Sequence, residues 1–181
     1  MTQISREILE KAGQGDIPAF EAIYRQYCGF VYNVAYRVTG NHADAQEVTQ
    51  DVFMKLYRNL KNFFFRSSFA TWLYRITVNT AISLCRARRH RNAQISLDEQ
   101  LIQPGTENNI REKLDAGQQV QALLEKLNPQ QRACLALREM QGASYREIAA
   151  TLMIPLNTVR SRLKRARLAL LAGAPQKGSA L

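Results

Sequence analysis

The stretch SYREIAATLMIPLNTVRSRLKRAR, residues 144–167, leaves little freedom in how it folds. Ser144 and Glu147 stand at the spacing of a capping box, so a helix opens at Tyr145. Ile148, Ala149 and Leu152 form its apolar stripe, and Pro155 breaks it. Asn157 or Thr158 is placed to cap a second helix, in which Val159, Leu163, Ala166 and Leu170 recur four, three and four apart. Two short helices at a sharp turn make a helix-turn-helix.

The second helix carries Arg160, Arg162, Lys164, Arg165 and Arg167 within eight positions and no acid. Solvated helix faces usually interleave signs to gain i,i+4 pairs, so an unbroken run of cations points to a polyanion. In such units the second helix enters the DNA major groove. Helical phase turns Arg160, Ser161, Lys164 and Arg165 toward the groove and sets Arg162 and Arg167 beside flanking phosphates. Thr158, at the helix start, belongs to the same surface.

The remaining pattern is also helical. Asp16 caps a helix that has Pro18 in its first turn and stops at Gly40-Asn41. Asn41 caps the next, where Val48, Val52, Leu56 and Leu60 recur every four residues. After the break NFFFRSS a third helix is expected from Phe69 to about His90, with Trp72, Leu73 and Ile76 as core. From Arg91 to about Arg111 periodicity fails around Pro104-Gly105, which marks a linker. Helix resumes near Gln118, Asn128-Pro129 restarts it with Gln131 at a capping-box position, and Gly142 ends it. No strand alternation bounded by hairpin turns occurs. The expected fold is all-α: two small helical domains joined by a flexible linker, the C-terminal one containing the helix-turn-helix. The expected divisions are 1–92, 93–112, 113–175 and a tail at 176–181.

Charge follows this division. Residues 1–90 hold twelve Lys/Arg against seven Asp/Glu, residues 91–117 three against five, and residues 118–181 ten against three. Both ends are basic and the middle mildly acidic. Cys28, Cys85 and Cys134 form no Cys-x-x-Cys pair, and His42 and His90 lie apart from them in sequence, so neither a metal nor another cofactor is expected. The first residues lack an apolar signal core and no run suits a membrane span, which reads as a soluble cytoplasmic protein.

The first domain has its own nucleic-acid signature. FFFRSSFATWLYRITVNTAISLCRARRHR places Phe63, Phe64, Phe65, Arg66, Ser67, Ser68, Arg75 and Asn79 ahead of Arg86, Arg88 and Arg89. Aromatic faces lodge unpaired bases while cations hold phosphates, a combination suited to melted strands. Three consecutive Phe cannot all be buried on one helix face, so at least one ring belongs to an irregular loop.

Four blocks, DAQEVTQDVFMKLYRNL, SFATWLYRITVNTA, LNPQQRACLALREMQGASYREIAATL and IPLNTVRSRLKRAR, occur in an order that resembles bacterial RNA polymerase sigma factors of the extracytoplasmic-function (ECF) group. The likeness runs from about Gly15 to Leu171. It implies a non-enzymatic factor that directs core RNA polymerase to promoters. The first domain would open the −10 element and the second would read the −35 element as duplex. The helix from His42 to Leu60 matches the segment that docks on the clamp coiled coil of the largest subunit, with Asp44, Glu47, Gln50, Asp51, Phe53 and Met54 as its contacts. The flap of the second-largest subunit, promoter DNA and an anti-sigma factor are the other partners implied; no small-molecule substrate and no membrane insertion are. The Phe63–Ser68 loop resembles the loop that captures a flipped base, Asn79 matches a position that reads neighbouring bases, and the acidic linker would thread near the polymerase's basic channel.

Phe65, Met153 and Asn157 stand where the family often has Gly, and Gln46 replaces a frequent acid. Three other functions compete. A stand-alone helix-turn-helix regulator would bind duplex DNA unaided, commonly as a dimer. A helical RNA binder would use similar basic surfaces. A nucleic-acid enzyme would need a clustered Asp/Glu/His set or a phosphate-cradling Gly loop, and the sequence has neither.

Overall fold

Most of the described helices begin where a short polar side chain replaces the missing intrahelical partner of a backbone N–H. The computed structural model describes residues 4–98, 123–124 and 126–173. Helix α1 spans Arg6–Gly13, with the Ser5 hydroxyl accepting from the Ile8 N–H. Helix α2, Ile17–Thr39, starts at Asp16, whose carboxylate accepts from the Ala19 N–H at 2.7 Å. It stops at Gly40, where φ is 87°. Only a residue without Cβ takes that turn cheaply, and it delivers Asn41 to cap α3, His42–Asn59, through the Asp44 N–H at 2.7 Å. A 3₁₀ turn at Leu60–Asn62 leads into the loop before α4, Phe69–Asp98.

In the second half, Asn128 and Gln131 form a reciprocal capping box for α5, Pro129–Gln141, which ends at Gly142 with φ 61°. Ser144 and Glu147 do the same for α6, Tyr145–Leu152. Helix α7 runs Leu156–Gly173. All described elements are helical.

Burial follows the four-residue spacing. Val48, Val52, Leu56 and Leu60 of the α3 segment meet Ile23, Val31 and Val38 of α2 and Leu73 and Val78 of α4 in one buried cluster. A fully buried side chain of this kind contributes about 1.5–3 kcal/mol. Val159, Leu163 and Ala166 of α7 are buried as their spacing requires, and Leu170 is half-buried.

Three differences from expectation concern boundaries and packing. Helix α4 continues past His90 to Asp98. The rest of the expected linker, from residue 99, lies outside the described residues. Helix α7 begins before Asn157, because the Pro155 carbonyl accepts from the Thr158 and Val159 N–H groups and takes the capping role. Asn157 and Thr158 therefore sit inside the first turn. Finally, the two halves share a core: α5 lies against α2 and α4, and α6 lies against α4. Ala133, Cys134, Leu137 and Ile148 join the first half's cluster.

Candidate nucleic-acid interface

The loop between the 3₁₀ turn and α4 separates three neighbouring rings. Phe63 is buried against Trp72 and Phe69, with centroids 5.0 and 5.6 Å away. Phe64 is 72% exposed, with the Arg66 guanidinium 6.0 Å from its ring centre. Phe65 takes a φ of 55° and turns its ring away, under Arg6 of α1. Ser68 ends the loop by accepting from the Thr71 N–H at 3.1 Å.

Between these groups lies a cavity of about 460 Å³. Phe63, Phe64, Arg66, Ser67, Trp72 and Arg75 line it from the first half, and Ala150 and Thr151 of α6 close it from the second. The volume is in the range of small-ligand clefts, and the lining mixes flat apolar faces with guanidinium groups. That chemistry suits a planar heterocycle attached to a phosphate chain. Asn79 and Arg86 lie further along α4, in a second cleft of about 250 Å³ that also touches Leu152, Ile154 and Arg162. Arg86 and Arg89 line a third, of about 310 Å³, beside Cys85.

On the second half, Arg160, Ser161, Lys164, Arg165 and Arg167 are exposed along α7. The Asn157 side-chain oxygen Oδ1 accepts from Arg160 at 3.2 Å, and Arg167 donates to the Tyr145 hydroxyl at 3.2 Å. Thr158 is half-buried, and its carbonyl accepts from the Ser161 hydroxyl at 3.0 Å. Arg162 is also half-buried, and its charge acts on the Cys134 thiol. Burial raises the pKa of that thiol and the Arg162 charge works against the rise. Met153 makes the turn before α7 in a left-handed conformation, φ 53°, with its sulfur 3.4 Å from an Arg75 nitrogen.

Helix α3 presents a different surface. Gln50, Asp51, Met54 and Tyr57 are exposed on it, and Ile17 and Tyr24 of α2 stand exposed nearby. Phe20 bridges them, its ring 5.1 Å from Tyr57 and 6.5 Å from Phe53. An exposed apolar face of this kind, flanked by an acid and an amide, is chemically suited to a protein contact.

Residues 23–91 match Sigma-70 region 2, and residues 117–170 match Sigma-70, region 4. The ECF RNA polymerase sigma-E factor of Escherichia coli K12 is 34% identical over 176 residues, covering 91% of this chain and 92% of that one. The chain belongs to the ECF sigma factor family. The ECF RNA polymerase sigma factor SigE of Mycolicibacterium smegmatis is 37% identical over 158 residues, 85% of this chain. This chain spans 61% of that longer protein. Among solved structures, the sigma factor RpoE of Bartonella quintana, in complex with the anti-sigma factor NepR, superposes with a TM-score of 0.65. It is 26% identical, and the superposition covers 87% of this chain and 97% of that one.

Within this sigma factor the expected site residues fall into groups. Phe63, Phe64, Arg66, Ser67 and Arg75 come together at one cavity, while Phe65 faces α1 and Ser68 serves as a cap. Arg88 stands apart from the other arginines of α4, in ion pairs with Asp44 and with Glu47, the latter at 2.7 Å. A residue read as a DNA contact and two read as polymerase contacts thus hold one another. Asp44 and Phe53 are buried, 4% and 6% exposed, and present no surface in this arrangement. Ile17, Tyr24 and Tyr57, exposed on or beside the same face, were not among the expected contacts. Tyr57 was legible in the sequence, because it stands three residues after Met54 and seven after Gln50 on one helical face.

Among the described residues, no three His, Cys, Asp or Glu gather as a metal site. Nor is any helix among them long and apolar enough to cross a membrane.

Proposed function

We propose that the chain binds core RNA polymerase in the cytoplasm and directs it to promoters. Residues 1–92 dock on the clamp coiled coil and hold the melted −10 strand. Residues 113–175 read the −35 duplex and meet the flap. The segment between them is the connector. The catalytic step belongs to the polymerase. An anti-sigma factor holds the chain inactive, as a partner of the kind NepR is for the Bartonella protein.

One observation carries this reading. A single chain pairs an acid-free cationic recognition helix with a separate aromatic and cationic cavity on another set of helices. Groove reading needs a rigid helix, whereas an unstacked base needs a pocket. A stand-alone duplex-binding regulator has no use for the cavity. The exposed face around Met54 and Tyr57 supplies the polymerase contact.

The test is in vitro transcription by core polymerase with and without the chain over a random promoter library. The expected result is chain-dependent start sites sharing two sequence elements. Failure to confer start-site selection, with tight duplex binding by the chain alone, would favour the regulator.

A further inference from the structure

Phe65 poses a question that base capture by the cavity does not answer. It is a bulky residue at φ 55°, a conformation disfavoured for any side chain with a Cβ, and it is 38% exposed. Something outside the loop has to hold it. The Arg6 guanidinium lies 4.6 Å from the Phe65 ring centre. Arg6 is itself steered by Glu10, which accepts from its Nε at 2.7 Å. On its other side the Phe65 ring meets Phe63 at 4.7 Å, and Phe63 is a wall of the cavity.

Helix α1 is close enough to act on the loop as a unit. A Cβ on Gly13 would stand 3.5 Å from the Lys61 backbone, at the 3₁₀ turn that launches the loop. Glu10, Gly13, Lys61 and Phe65 line one shallow cleft between helix and loop.

We propose that Arg6 is a positioning residue for the capture of an unpaired nucleobase. By holding Phe65 in the left-handed kink, it keeps Phe64 and Arg66 at the cavity mouth before DNA arrives. The inference rests on reading the cavity as the seat of a melted strand. Loss of the cation releases the kink toward the extended backbone an ordinary residue prefers, and the bound geometry then has to be recovered at the moment of binding.

The test uses holoenzyme assembled from core polymerase and the full chain, with four variants: Arg6→Ala, Arg6→Lys, Phe65→Gly and the Arg6→Ala/Phe65→Gly pair. The probes are a single-stranded oligonucleotide of the −10 sequence selected in the library experiment, a scrambled oligonucleotide, and a −35 duplex. Arg6→Ala is expected to weaken single-strand binding about two- to fivefold, the size of an exposed cation–π contact. Duplex and core binding stay unchanged, and Arg6→Lys recovers part of the loss. In the Phe65→Gly background the Arg6 change has no further effect, because glycine takes the kink unaided and offers no ring. Equal single-strand affinity of Arg6→Ala and wild type, or an equal Arg6 effect in both backgrounds, overturns the proposal. Wild-type holoenzyme that binds selected and scrambled strands alike overturns the cavity reading beneath it.

Discussion

The Tyr74 hydroxyl donates a hydrogen bond to the Ala133 carbonyl at 3.1 Å, joining α4 to α5 across 59 residues of chain. Tyr74 is 1% exposed, and Cys134 is buried beside it. Tyr74→Phe keeps the ring and removes the bond, a loss of about 1 kcal/mol, or roughly fivefold in an equilibrium between joined and separated halves. Site-resolved alkylation followed by mass spectrometry is expected to show faster labelling of Cys134 by about that factor. An unchanged rate would mean that the hydrogen bond does not govern the contact.

Alkali acts on the same contact. Burial raises the pKa of the Tyr74 phenol and of the Cys134 and Cys85 thiols. A group whose folded pKa lies above its unfolded value gives its full stabilisation below the unfolded pKa and loses it as pH rises. The melting temperature is therefore expected to hold up to about pH 8, where free thiols begin to ionise, and to fall more steeply above about pH 10, where free phenols do. Scanning calorimetry of wild type and Tyr74→Phe isolates the Tyr74 share of the steeper fall, since the phenol of Tyr27, which burial also raises, remains in the variant.

Charge reversal on α7 should disable one promoter element only. Arg160→Glu or Arg165→Glu is expected to reduce transcription that depends on the upstream element by roughly 5- to 150-fold, from the loss of about 1–3 kcal/mol of base contact. Core affinity is unaffected. Because phosphate neutralisation sets the salt dependence, each lost phosphate contact also flattens the log–log salt slope by about 0.9. A fall in core affinity would move α7 out of the DNA-reading role.

The exposed face of α3, proposed above as the polymerase contact, calls for different variants. Met54→Ala and Tyr57→Ala remove exposed side chains and should weaken core association by about 1–2 kcal/mol each without changing the melting temperature. Asp51→Lys should act in the same direction through charge. Phe53→Ala is expected instead to destabilise the fold by about 3 kcal/mol, because its ring is buried against Phe20 and Tyr24. Fluorescence anisotropy with labelled core, set beside thermal melts, separates these outcomes.

Helix starts were legible because their signals are local. Asp16, Asn41, Asn128 and Ser144 each cap through a backbone N–H a few residues on, and no distant contact is needed. The cationic face of α7 and the aromatic-basic composition of the loop were legible for the same reason. Distant pairings were not. Arg88 looks like a member of an arginine cluster until α3 and α4 pack and bring it to Asp44 and Glu47. Phe53 and Met54 are adjacent and apolar, and only the position of α2 decides that one is core and the other surface. Tyr74 reads as an ordinary core residue, so nothing in its neighbourhood announces a bond to Ala133. The left-handed turns at Phe65 and Met153 fall where family members often have Gly, which marks the positions without revealing that Arg6 and Arg75 attend them.

Ala150 and Thr151 form one side of a cavity whose other walls belong to the opposite half of the molecule. In this arrangement the protein sits on its own doorstep. A strand seated at the Phe64 rim, as proposed above, would lie against α6 as well as α4. Any partner that draws the halves apart would therefore also change the shape of that cavity, because Ala150 and Thr151 would leave with α6.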